Sequence, residues 1–143
     1  MNKAELRKIA LKYLASNRLM TLATSVKDKP WAATVFFAYD DKFNIYFFSR
    51  ENTKHCQNIK INPNVAVAVN QDWGKAGLIK GFQMSGKASK VPKNKYAASY
   101  ALYRKRFAWA DNFSDHMLYW IKPTEVYHIN QKVFKHFFRE RII

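Results

Sequence analysis

Cysteine is almost absent from this sequence, which has one such residue, Cys56, among 143. One cysteine excludes an internal disulfide bond and is typical of a protein from a reducing compartment. Its neighbour His55 would point about 100° away from it on a helix, so the two side chains make a poor metal chelate. We therefore interpret Cys56 as a small buried residue.

Acidic residues are scarce as well. Ten Asp and Glu stand against 25 Lys and Arg, which gives a formal net charge of +15. This excess favours anionic partners, namely phosphates, nucleic acid or a membrane surface. The basic residues are spread along the chain, so they predict a generally basic surface and not a basic tail.

Long apolar runs are missing too. No stretch reaches the roughly 18 apolar residues that a membrane-spanning helix needs, and no secretory signal is recognisable. We therefore expect a soluble, cytoplasmic protein.

The chain also lacks the motifs of a self-contained catalytic apparatus. It has no Gly-x-Ser-x-Gly elbow and no Walker loop, and its four histidines have no tight metal-ligand spacing. No metal site is expected. If the protein is an enzyme, a cofactor would carry the reaction while the protein supplies binding and electrostatics.

Aromatic residues are abundant, at 16% of a chain that is 48% hydrophobic. This length and composition predict one domain spanning residues 1–143. An amphipathic helix is predicted within residues 1–17, a helical insertion within 92–110 and a tail at 131–143. The first helix has the pattern of a membrane binder, but its short length and direct passage into strands favour packing against a sheet.

Between these segments, β-branched and aromatic residues alternate in short runs separated by tight turns, which predicts antiparallel strands. Gly81 and Gly86 interrupt the longest run and predict bends in that strand. The predicted strands are 19–26, 31–39, 44–48, 65–70, 78–91, 118–121 and 126–129.

A polar cluster opens the short helix that precedes Asn62-Pro63. It consists of Ser49, Asn52, Thr53 and Lys54. A helix N-terminus with hydroxyl groups and a lysine can bind a phosphate, although the cluster taken alone is more typical of a simple N-cap followed by a solvated lysine.

Several motifs in series resemble the FMN-binding split-barrel family related to pyridoxamine 5′-phosphate oxidase. They are Met20-Thr-Leu-Ala-Thr24 with Lys29-Pro-Trp31, then Ser49 to Lys54 followed by Asn58-Ile59 and Asn62-Pro63, and finally Gly81-Phe-Gln-Met-Ser-Gly-Lys-Ala88. The segment Tyr103-Arg-Lys-Arg-Phe107 resembles a small branch of that family.

The resemblance implies an α+β, mainly β fold: an antiparallel six-stranded split β-barrel (Greek key) with a few peripheral helices. It implies a homodimer with the flavin site at the subunit interface, FMN as cofactor, and an FMN-dependent oxidoreductase of unknown substrate.

The resemblance also implies a role for particular residues. The second strand would lie along the flavin ring, the end of the third strand would flank the ribityl chain, the start of the following helix would hold the phosphate, and a lysine at the head of the long strand would lie near the flavin. Two tryptophans are candidates for the wall that the second subunit closes. The residues along the ring are Ala33, Thr34, Val35 and Phe36, and those beside the ribityl chain are Phe48 and Ser49. The phosphate residues are Asn52, Thr53 and Lys54. The lysine near the flavin is Lys80, and the two tryptophans are Trp109 and Trp120.

Two positions depart from the family pattern. Ala32 and Thr53 occupy places where flavin-binding members commonly have arginine, and no substrate site for pyridoxamine phosphate is recognisable. Two other functions therefore stay open. One is a basic nucleic-acid-binding β-barrel, and the other is a split barrel that binds haem, with His55 or His128 involved, or no cofactor.

Overall fold

The computed structural model describes residues 1–71 and 75–143. Its helices are α1 (Lys3–Ala15), α2 (Lys54–Ile61), α3 (Lys93–Arg106) and α4 (Gln131–Phe134), with a 3-10 helix at Ala108–Asn112. Its strands are β1 (Leu19–Val26), β2 (Lys29–Phe36), β3 (Ala38–Tyr39), β4 (Ile45–Ser49), β5 (Asn64–Asn70), β6 (Lys80–Lys90), β7 (Met117–Asn130) and β8 (Glu140–Arg141). No helix in these two ranges is long and apolar enough to cross a membrane.

All strands belong to one antiparallel sheet with the order β2-β1-β5-β6-β7-β4-β3, and β8 pairs with β7. The sheet curls, so that its two ends approach one another: Cα atoms of β2 and β4 come within 8 Å without forming a ladder. This arrangement confirms the predicted mainly β, antiparallel split barrel with peripheral helices.

The predicted count of six strands is too low, because the chain breaks its second strand at a corner. Phe37 is fully buried, and its amide donates to Arg18 O at 3.0 Å, which is the last bond that the chain makes toward β1. The residues after it, Ala38 and Tyr39, pair with β4. The chain thus crosses at Phe37 from one end of the sheet to the other.

The two strands predicted around Pro123 form one long strand, β7. Its register against β6 shifts where Ser85 pairs with Glu125 and Gly86 pairs with Pro123. Gly86 approaches β7 so closely that a Cβ there would lie 2.4 Å from Lys122 O. The predicted bend at Gly86 is therefore a close contact between backbones at a β-bulge.

Two apolar clusters hold the elements together. The inward faces of the strands form the first, and alternation of large and small residues decides which face is inward. Val65, Val67 and Val69 are buried inside, whereas Ala66 is exposed on the outer face. The second cluster fills the space between α3 and the outer face of β4 and β7, and it includes the fully buried Tyr103.

The ends of the helices follow their sequence signals. Asn2 and Glu5 form a capping box at the start of α1. Arg106, in the last turn of α3, donates to backbone oxygens of Leu14, Phe37 and Asn17 and so fastens α3 to the C-terminal end of α1. The tail, whose structure the sequence did not decide, contains both a helical turn and the short strand β8.

Candidate functional site

The second strand, β2, is the open edge of the sheet. It pairs with β1 on one side, and within the described ranges it has no ladder partner on the other. Thr34 and Phe36 are exposed, whereas Ala33 and Val35 are partly buried. The backbone groups along the free edge can therefore bond to a ligand, as the predicted ring-contacting role requires.

The start of α2 lies beside this edge. Thr53 is the N-cap, because its side chain accepts a hydrogen bond from Cys56 N at 3.3 Å. The Thr53 hydroxyl itself donates to Arg50 O at 2.9 Å. The next two amides, those of Lys54 and His55, have no acceptor among the described residues and remain free to bind an anion.

Lys54 lies where β2 and α2 meet. Its side chain is exposed, and its ammonium nitrogen lies 4.2 Å from the centre of the Trp31 ring. A cation in the first turn opposes the helix dipole, and α2 has no acidic residue in that turn. Helix stability therefore does not explain a lysine at this position.

Three other predicted residues at this end have different environments. Asn52 is exposed. Ser49 is buried, and its hydroxyl lies 2.9 Å from Nε2 of His55. Phe48 points into the second apolar cluster, with its ring 5.7 Å from that of Tyr103. The side chains of Ser49 and Phe48 therefore have less accessible surface for a ligand than the side chain of Asn52.

Lys80 lies far from this end within one chain. It opens β6, which is separated from β2 by β1 and β5. Three strand spacings of about 4.8 Å place it about 14 Å from β2 in the sheet. In a single subunit Lys80 is thus not joined to Lys54, and its predicted place near the flavin requires the second subunit.

The two tryptophans occupy different places. The Trp109 ring centre is 5.2 Å from that of Phe36, at the end of β2. Trp120 lies on β7, beside Tyr46, and its indole N–H donates to Ser89 Oγ at 3.2 Å. The structure therefore brings Trp109 to the ring-contacting strand and leaves Trp120 away from it.

The two histidines considered for haem are engaged in the protein interior. His128 is fully buried, and its Nδ1 donates to Gly81 O at 2.7 Å. Burial lowers the pKa of both His55 and His128, which keeps them neutral. No cluster of three potential metal ligands occurs in the residues that the structure describes.

Sequence reasoning missed three residues near this site. Arg50 precedes α2 and is exposed, with a guanidinium nitrogen 4.0 Å from Asp115 Oδ2. His116 packs against Phe48, with ring centres 5.2 Å apart. Arg50 could have been suspected because it lies within the polar cluster. Asp115 and His116 carried no sequence signal, since only the fold brings their loop to β4.

The sequence matches a known family over most of its length. The sequence model of the family described as pyridoxamine 5′-phosphate oxidase matches residues 6–130, which is most of the chain. A UPF0306 protein of Photorhabdus laumondii is 30% identical over 108 residues, which are 75% of this chain and 76% of that protein.

Solved structures share the fold. An FAD-binding protein from Mesorhizobium loti superposes with a TM-score of 0.69 at 21% identity, over 82% of this chain and 87% of its own. A heme-binding protein from Mycobacterium smegmatis superposes with a TM-score of 0.78 at 20% identity, over 99% of this chain and 57% of its own. The chain therefore belongs to the pyridoxamine 5′-phosphate oxidase family of split-barrel proteins, and its relatives there include UPF0306 proteins.

Proposed function

We propose that this protein binds FMN and acts as a flavin-dependent oxidoreductase. The single observation that carries the proposal is Lys54, an exposed cation beside two free helix amides and next to an open strand edge. Together these groups offer one end for a phosphate and one side for a flat polar ring.

The phosphate end fits a doubly charged anion. The amides of Lys54 and His55 supply two N–H donors, and the Lys54 ammonium supplies charge. The guanidinium of Arg50 adds a second cation, since its side chain is 58% exposed and its contact with Asp115 is long, at 4.0 Å. Arg50 thereby compensates for the missing arginine at the position of Thr53.

The ring side fits the polar edge of a flavin. Unpaired backbone N–H and C=O groups of β2, from Ala33 to Phe36, would bond to that edge in the way a neighbouring strand would. The small side chain of Ala32 leaves this edge accessible. When bound, FMN supplies reversible hydride and electron transfer, which the side chains of the chain itself do not offer.

A homodimer is part of the proposal. The outer face of β1, β5 and β6 carries small residues, including Thr21, Ala23, Ala66 and Ala68, around a shallow hollow of about 320 Å³. A face of small side chains permits close approach of another layer. A second subunit there would cover this face and bring further residues to the flavin; Lys80 and Trp120 are the candidates.

Haem is a second candidate ligand, because a structural neighbour is named for binding it. The contacts of this chain favour it less. An axial ligand needs an accessible imidazole nitrogen, and His55 and His128 are both buried and hydrogen-bonded. A haem form would have to use another axial ligand.

An absorbance spectrum of the untreated purified protein tests the proposal. Two visible flavin bands, with FMN released on denaturation, are the expected result. A Soret band would replace the proposal with haem binding. A colourless protein that takes up no added FMN, and that instead binds oligonucleotides with a steep salt dependence, would replace it with nucleic-acid binding.

A further inference from the structure

Five ring side chains form a continuous wall between the end of β2 and the end of β4. We call it the aromatic shelf: Phe36, Trp109, Phe113, His116 and Phe48. Ring centres are 5.2 Å apart for Phe36 and Trp109 and 5.7 Å apart for Trp109 and Phe113. They are 4.9 Å apart for Phe113 and His116 and 5.2 Å apart for His116 and Phe48.

The shelf is open to solvent in this chain. Phe36 is 43% exposed and Phe113 is 42% exposed. Both rings are held by aromatic neighbours, so their uncovered faces are presented in fixed positions. Trp109, His116 and Phe48 are partly buried, so the two exposed rings, Phe36 and Phe113, supply the uncovered faces on which a flat aromatic molecule could stack.

One polar atom on the shelf is oriented and unused. Nδ1 of His116 lies 2.7 Å from Asp115 Oδ1, and a carboxylate can only accept, so Nδ1 carries the hydrogen. That hydrogen bond lowers the pKa of Asp115 and keeps the carboxylate ionised. In the neutral imidazole the other nitrogen, Nε2, is then an acceptor, and it has no hydrogen-bond partner within residues 1–71 and 75–143.

A second unpaired polar group lies behind the shelf. The Tyr103 hydroxyl is fully buried and has no partner in the described part of the chain. Its ring packs against Phe48 and Trp109. A buried hydroxyl without a partner calls for an explanation, and a polar ligand group that enters between those rings would provide one.

Charged side chains connect the shelf with the segment that precedes α2. Asp115 lies between His116 and Arg50, and Arg50 leads to the phosphate end at Lys54. The shelf is therefore linked through Asp115 to Arg50, in the segment that leads into α2, and it reaches β2 at Phe36.

We infer that the aromatic shelf is the substrate subsite of the proposed flavin site and takes a planar, hydroxylated aromatic molecule whose O–H donates to Nε2 of His116. The inference rests on the proposed function for its redox role, whereas the binding it assigns can be measured without the cofactor.

Two probes that differ by one hydroxyl test the assignment: 6-hydroxynaphthalene-2-sulfonate and naphthalene-2-sulfonate, titrated by calorimetry at about pH 8. The unaltered protein should bind the hydroxylated probe about three- to ten-fold more tightly, the value of one hydrogen bond. His116→Phe keeps a ring but removes the acceptor, so the preference should disappear while affinity for the plain probe stays. Asp115→Asn, which loosens the imidazole, should reduce the preference.

Phe113→Ala should weaken both probes about equally, by about three- to ten-fold. Phe137→Ala is the matched control, because Phe137 is 70% exposed in the C-terminal tail, outside the shelf, and it should change neither affinity. A preference that survives in His116→Phe, or equal losses in Phe113→Ala and Phe137→Ala, would overturn the assignment.

FMN affinity is measured in parallel on the same variants. If FMN fails to bind while the probes still depend on His116, the proposed function fails and the subsite stands. If FMN binds and the probe preference does not depend on His116, the subsite fails and the proposed function stands.

Discussion

The ammonium nitrogen of Lys54 lies 4.2 Å from the centre of the Trp31 ring, so a residue of α2 and a residue of β2 are in direct contact. Such cation–π contacts contribute about 0.5–1 kcal/mol at exposed positions. The contact restricts the exposed lysine side chain to the space between the start of α2 and the beginning of β2. The cationic end of the proposed site is thus preformed before any ligand arrives.

Replacing Lys54 with alanine should weaken FMN binding about ten-fold or more, because a charge-assisted hydrogen bond contributes about 1.5–3 kcal/mol. The free energy of unfolding should change by less than about 0.5 kcal/mol, because loss of the cation–π contact with Trp31 is offset by removal of a cation that opposes the helix dipole. Flavin fluorescence titration and urea unfolding measure the two quantities.

The matched control for that change is Lys60→Ala, which removes an exposed lysine from the last turn of the same helix. It should leave FMN affinity unchanged. Similar affinity losses in the two variants would mean that general charge, and not the start of α2, attracts the phosphate.

Replacing Thr53 with alanine should destabilise the protein by about 1 kcal/mol, because the N-cap hydrogen bond to Cys56 N is lost. Thr53→Ser keeps the acceptor and should retain most of the stability. Thermal unfolding distinguishes the two variants, with the alanine variant melting a few degrees lower. Equal melting temperatures would show that the cap does not stabilise α2.

Replacing Gly86 with alanine should destabilise the fold by about 1–3 kcal/mol. The new Cβ would lie 2.4 Å from Lys122 O and 2.8 Å from a methyl group of Ile121, so β6 and β7 must separate. Gly81→Ala is the control on the same strand, since its Cβ would meet nothing closer than 3.8 Å. Urea unfolding should show a much larger loss for Gly86→Ala than for Gly81→Ala.

Acid should destabilise the protein through His128. Burial lowers the pKa of this imidazole in the folded state, whereas the unfolded chain has the ordinary value of about 6.5. The unfolded state therefore binds the proton first, so stability is full above about pH 6.5 and falls as the pH drops below it. Urea unfolding between about pH 7.5 and 5 should show this decline.

His128→Gln should make that decline shallower, although the variant will be less stable at neutral pH because the hydrogen bond from Nδ1 to Gly81 O is lost. His55 has the same direction of pKa shift, so part of the slope should persist. A slope unaltered by the substitution would show that His128 is not neutral in the folded protein.

The fold was predictable from the sequence where local patterns and tertiary packing agree. Alternating valines with Ala66 between them marked the inner face of β5, and Asn2 with Glu5 marked the start of α1. The corner at Phe37 was not predictable, because the pattern of residues 31–39 is that of one continuous strand. The fold divides the strand in two, because residues up to Phe37 bond toward β1 whereas Ala38 and Tyr39 pair with β4.

The site was predictable in part for a related reason. The cap at Thr53 and the cation at Lys54 are local features of one segment, so the polar cluster indicated them. Phe113 and His116 follow the 3-10 helix, and only the fold brings His116 against Phe48 of β4 and Phe113 against Trp109. No spacing in the sequence joins them to Lys54.

The unpaired edge of β2 has a further consequence for the behaviour of the protein. A bare strand edge is a template for strand addition from another chain, and natural proteins protect such edges. Here Lys29 and Pro30, residues of the kind that protect an edge, lie only at the beginning of the strand. The outer backbone groups from Thr34 to Phe36 have no such protection. The backbone groups that would bond to a flavin ring are the same ones that could pair with a strand of another chain. Binding of the flavin would therefore also protect the protein against aggregation.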